Sequence, residues 1–184
     1  MSERTEVERA ADQLVRAYRG PAWSGPSVAQ ALRGVDAATA ATRPPGGAHS
    51  IWEIAAHIGA WEETVRRRLE GEPYSPRGAA NFPRPRAASA AEWRATLERL
   101  GAIHDALVAR VRTLTDESLA RSPYAGAAGA YVLIHGAAQH DLYHAGQIVL
   151  LRKLLRAGRR TGAPRSPKRG ARGAPERRVR RRSK

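Results

Sequence analysis

From Tyr131 to Leu155 the chain runs through a long apolar segment that contains no proline. Strands are shorter than this, and nothing inside the segment breaks a helix, so it predicts one helix over about residues 130–156. That helix is apolar or small over much of its circumference, which predicts that it sits deepest in the fold. Gly136 and Gly146 cost it helix propensity. Their expected return is close approach of a neighbouring helix. His140 and His144 lie four residues apart in the segment, one turn above the other on a single face. Two imidazoles so placed can hold one divalent ion, as the His pair of zinc proteases does. Asp141 stands where that protease motif has its glutamate, so the spacing is shared and the protease chemistry is not.

A metal site that also leaves an open position usually takes three protein ligands. The chain has no cysteine, so the third ligand has to be sought elsewhere. The remaining histidines are His49, His57, His104 and His135. His57 is the best placed, in a helical stretch with Ile51, Ile54, Ile58, Trp61, Val65 and Leu69. It falls on the edge of that stripe and can point into a cleft between helices. His49 precedes the helix, as a loop residue near the site. His104 is expected to be structural or on the surface, and His135 lies on another face from His140. Glu53 is better explained as a helix cap with Ser50 than as a ligand. Asp141 points about 100° away from His140 and is better placed to meet a neighbouring helix. Tyr143 and Gln147 flank the histidine face and are candidate substrate contacts. Trp52 and Trp61 are expected in the core.

The rest of the chain reads as helices with clear punctuation. The first runs from about Ser2 to Arg19 and ends at Gly20-Pro21. Ser27 with Gln30 caps a short helix to about Leu32, and another short piece covers about Asp36 to Thr42. Ser50 and Glu53 open the second long helix, which runs to about Glu70 and stops at Gly71. A proline-rich connection over 72–88 follows, long enough to form the rim or lid of a cleft. Ser89 and Glu92 read as a capping box for the third long helix, to about Leu114, with Trp93, Leu97, Leu100, Ile103, Leu107 and Val111 as its stripe. A further turn of helix is expected over Thr115–Leu119. The fold class is therefore all-α.

Two segments together carry a resemblance. His49-Ser50-Ile51-Trp52-Glu53-Ile54-Ala55-Ala56-His57-Ile58-Gly59-Ala60-Trp61-Glu62, with His140-Asp141-Leu142-Tyr143-His144-Ala145-Gly146-Gln147-Ile148, resembles the DinB/YfiT-like metalloenzymes over roughly residues 5–155. The resemblance implies a four-helix bundle and a metal held by three histidines, one from the second long helix and two from the fourth. Carried over, these are His57, His140 and His144. It implies a metal-dependent enzyme acting on a small molecule, and a homodimer. The preferred reaction is that of a thiol-dependent S-transferase or isomerase with a low-molecular-weight thiol cofactor; the other reading is a hydrolase. Three nitrogens with open positions suit zinc or nickel, with iron and manganese further choices.

Charge divides the chain. The formal net charge is +15, but residues 156–184 hold 13 Lys/Arg against Glu176 alone. The first 155 residues are nearly balanced. From Gly158 onward the sequence is almost entirely Arg, Gly, Pro, Ala, Ser and Lys, too polar to fold, so disorder is expected. The domain assignment is residues 1–156 as the helical metal-binding domain and 157–184 as a disordered arginine-rich tail. Charge alone predicts weak nonspecific contact of that tail with nucleic acid. A competing reading follows: a helical interaction module, not an enzyme, whose tail binds nucleic acid. No apolar leader and no apolar run of spanning length is present, so a cytoplasmic protein without membrane contact is expected.

Overall fold

The structure, a computed structural model, describes residues 4–161. Every regular element among them is helical. Helix α1, Glu6–Tyr18, starts later than the sequence suggests because Thr5 and Glu8 close a reciprocal capping box there. Two short helices follow: α2, Val28–Leu32, behind the expected cap Ser27, and α3, Ala37–Ala41, where Asp36 is the cap and not the first helical residue. Helix α4, Ile51–Leu69, opens on the Ser50–Glu53 box and stops before Gly71, whose φ of 93° is a left-handed conformation that suits glycine. Helix α5, Ala90–Arg112, is capped by Ser89, but Glu92 does not return the bond. Its carboxylate instead accepts the N–H groups of Arg86 and Ala87, which anchors the end of the preceding loop. Helix α6, Asp116–Leu119, is a single turn, and α7 spans Ala130–Thr161.

Helix α7 therefore continues past the expected end at Arg156. Residues 157–161 hold two arginines and no proline, so nothing stops the helix there. The rest of the tail expected to be disordered, residues 162–184, lies outside the described residues, as do residues 1–3.

Contacts fix the helix directions. Along α4 and α5, Trp52 meets Trp93 and Thr96, Gly59 faces Leu100 and Ile103, and Glu62 meets His104. At the far end the Leu69 carbonyl accepts from Arg110. Both numbers rise together, so α4 and α5 run parallel. A parallel pair needs a connection that returns along the whole helix length, about 28 Å for 19 residues. That requirement accounts for the long segment between them. Helix α7 runs antiparallel to α4: His57 lies beside His144 and His140, Trp61 beside His140, and Val65 with Ala137 and Leu133. Helix α1 runs antiparallel to α5: its end meets the middle of α5, with Tyr18 stacked on His104, while Val7 and Glu8 at its start lie beside Arg112 at the end of α5. Helix α1 also packs on α7, while α2 rests on α7 and α3 on α4.

Two expectations for α7 are overturned. It is not the deepest helix: Tyr131, Val132, Tyr143, Leu150 and Leu154 are its exposed large apolar residues. The more completely enclosed helix is α4, which packs against α3, α5 and α7 and buries residues round most of its circumference. Nor do Gly136 and Gly146 receive a neighbour, since a Cβ at either would meet nothing within 4 Å. Close approach occurs at Gly59, where a Cβ would lie 3.3 Å from the Leu100 side chain and 3.4 Å from Ile103.

Candidate metal centre

Helices α4 and α7 bring His57, His140 and His144 together, with one ligand nitrogen of each within 4.8 Å of the others. His140 Nε2 lies 3.1 Å from His57 Nε2 and 3.1 Å from His144 Nε2. The other ring nitrogens determine what these contacts are. His57 Nδ1 is 2.6 Å from the Asn81 carbonyl, which only accepts, so Nδ1 carries the proton and Nε2 presents a lone pair. His144 Nδ1 likewise donates to Gln147 Oε1 at 2.7 Å, which turns its Nε2 lone pair inward. Burial pushes His140 down to about 3, helped by the facing His144 and His57. Burial is also the main cause that lowers His57 and His144. The two fixed lone pairs, on His57 and His144, both face His140 Nε2, whose single N–H can serve only one of them, so a cation seated between the three nitrogens satisfies all three. In tetrahedral zinc geometry, nitrogens about 2.1 Å from the ion stand about 3.4 Å apart. The spacing and the donor set therefore fit a divalent transition-metal ion.

The proline-rich loop supplies the outer wall, as its length suggested. Phe82, the chain's one phenylalanine, stacks on His57 with ring centroids 3.8 Å apart and on His49 at 3.7 Å. Asn81 holds His57 through its carbonyl and accepts from the Trp61 indole through Oδ1 at 2.9 Å. The sequence reading does not single out Asn81 or Phe82; the chain's one phenylalanine, set between Asn81 and Pro83 in a proline-rich connection, is the signal that marks them. Trp61 is accordingly half-buried at the site, while Trp52 is in the core as expected.

A cleft of about 400 Å³ opens beside His144, walled by Ile54, Phe82, Leu150 and Leu151, with His49, Tyr143 and Gln147 also on its lining. Tyr143 is 65% exposed at its mouth. Gln147 reaches both the cleft and His144. Glu53 is outside the converging donors. Its buried carboxylate accepts the Ser50 N–H and pairs with Arg43 and Arg84, so it acts as a cap and an ion-pair hub.

Asp141 turns away from the histidines, as its angle on the helix required, and meets Glu62 and His104 instead. All three are fully or almost fully buried. His104 is thus neither a surface residue nor one packed only against apolar neighbours: its Nδ1 lies 2.7 Å from Glu62 Oε1, and Tyr18 covers its ring at 4.1 Å. Burial pushes both carboxyl groups up and the imidazole down to about 4. His135 faces away, against Tyr131.

Among the described residues no helix is long and apolar enough to cross a membrane. A family model described as the DinB superfamily matches residues 11–148. No curated protein and no solved structure matches the chain.

Proposed function

The chain belongs to the DinB superfamily, and from that premise we propose that it is a metal-dependent enzyme acting on a small molecule, with the ion held by His57, His140 and His144. The observation that carries this reading is the convergence of three Nε2 atoms, two of them fixed as lone-pair donors by Asn81 and Gln147. When bound, the ion supplies Lewis acidity that makes a water or a thiol nucleophilic at neutral pH. Zinc or nickel suits the all-nitrogen donor set. The protein's own residues orient and enclose. The Asn81 carbonyl and Gln147 Oε1 hold the imidazole tautomers, and Phe82 keeps water from one face of His57. The apolar walls of the cleft suit a substrate with a hydrocarbon body, and we assign Tyr143 and Gln147, both on its lining, to the substrate's polar end. Thiol-dependent S-transfer or isomerisation is the preferred reaction, with hydrolysis the other.

We read α1, α4, α5 and α7 as a four-helix bundle forming the catalytic domain, in a cytoplasmic protein. Tyr143, Leu150 and Leu154 share an exposed face of α7, which supports a homodimer. The test is metal content by elemental mass spectrometry on untagged protein, wild type beside His144→Ala. About one transition-metal ion per chain, lost in the variant, is expected. No ion in either protein after incubation with zinc or nickel would sink the enzyme reading.

A further inference from the structure

The apolar core falls into two clusters, and a polar layer separates them. Along α4, Ile58 belongs to one cluster and Val65 to the other, with Glu62 between them. Along α5 the order is Leu100, His104, Leu107, and along α7 it is Ala138, Asp141, Ala145. Three helices thus each insert one ionisable side chain at the same level of the core. These side chains are 1%, 0% and 0% exposed for Glu62, His104 and Asp141. As carboxylates, Glu62 Oε2 and both oxygens of Asp141 find no donor, the two groups lie close enough to hydrogen-bond only if one keeps a proton, and His104 Nε2 has no partner. His104 is the single basic side chain paired with either acid, and no arginine or lysine among the described residues bridges to them. Two carboxylates so enclosed are costly unless something positive joins them.

We propose that Glu62, His104 and Asp141 form a second divalent-cation site, distinct from the three histidines. One donor atom of each lies within 4.8 Å of the others. Two carboxylates and one neutral imidazole balance a +2 charge. This oxygen-rich donor set favours a harder ion than the all-nitrogen site, of the manganese(II) or iron(II) class. A cleft of about 250 Å³ between α4 and α7 has Glu62 and Asp141 on its lining, with Trp61, Val65, Arg68 and His140, and is the nearest opening to the buried carboxylates. Because Asp141 directly follows His140 and Glu62 lies on the helix of His57, an ion here would fix α4 against α7 and so position the histidines. The competing arrangement is a proton shared between the two carboxyl groups.

Mn²⁺ is the probe, added to the full untagged chain and followed by loss of the free-ion electron paramagnetic resonance signal and by elemental analysis after desalting. His57→Ala/His144→Ala disables the histidine site and leaves the core residues intact. This variant is expected to retain about one Mn²⁺ per chain, and adding Glu62→Gln with Asp141→Asn should abolish it. A histidine variant that binds no Mn²⁺ overturns the proposal and leaves the shared proton. If the carboxylate substitutions unfold the core, thermal melting of the histidine variant decides instead: Mn²⁺ should raise its midpoint, and an unmoved midpoint at millimolar Mn²⁺ overturns the site. The three-histidine reading fails separately, through the zinc or nickel content of wild type and His144→Ala.

Discussion

Glu53 is a buried carboxylate tied to three groups at once: Ser50, Arg43 and Arg84. Burial alone would raise its carboxyl, but the Arg43 and Ser50 hydrogen bonds outweigh it and hold the group at about 2, below its usual 4.5. A carboxyl depressed on folding adds stability that is fully present above the unfolded value and is lost as pH falls through the folded one. Resistance to urea should therefore weaken as pH drops from about 4.5 towards 2. Glu53→Gln keeps the shape and removes the charge. It should cost about 2 kcal/mol at neutral pH and flatten that acid limb. Matching pH profiles for the two proteins would remove Glu53 from the account. At this scale the sequence was legible where a residue acts on its own helix, as in the cap formed by Ser50 and Glu53. It was not legible for Arg43 and Arg84, which reach Glu53 from loops whose path no periodicity reveals.

Helix ends were set by short-range chemistry, which is why Ser27, Ser50 and Ser89 mark their helices correctly. The faces of α7 were harder to read. Its apolar residues outnumber what one neighbour can cover, and sequence does not show which side is left open. The glycines make the difference measurable. Gly146 is exposed and a Cβ there meets nothing, so Gly146→Ala should raise stability by about 0.5–1 kcal/mol through helix propensity. Gly59→Leu should do the reverse, by about 1–3 kcal/mol, because α5 already stands in contact distance. Paired urea titrations check both. A destabilised Gly146→Ala protein would mean that the second copy of the proposed homodimer packs directly on Gly146.

At the scale of the molecule, the helical body is nearly neutral, and most of the net charge follows Leu155. The candidate metal centre and its cleft draw on residues between Ala48 and Leu151. A chain ending at Thr161 should therefore keep its metal content and melting midpoint. It should also lose retention on immobilised nucleic acid at low salt, because counterion release scales with the phosphates neutralised. Loss of metal on truncation would tie the tail to the site. Chromatography and elemental analysis of the two chains give both readings.

The sequence by itself determined the helices, most of their caps and the pairing of His140 with His144, because those features depend on neighbours within a few positions. The match to His57 came through resemblance, since the helix period places a residue on a face but cannot say which helix that face meets. Tertiary structure decided the rest. Parallel packing of α4 and α5 forces the connection back along the length of the helices, and that return lays Asn81 and Phe82 against His57. The same packing brings Glu62, His104 and Asp141, from three helices, to one level of the core. Contacts between residues so far apart in the chain have no local signature, because they form only when the helices settle side by side.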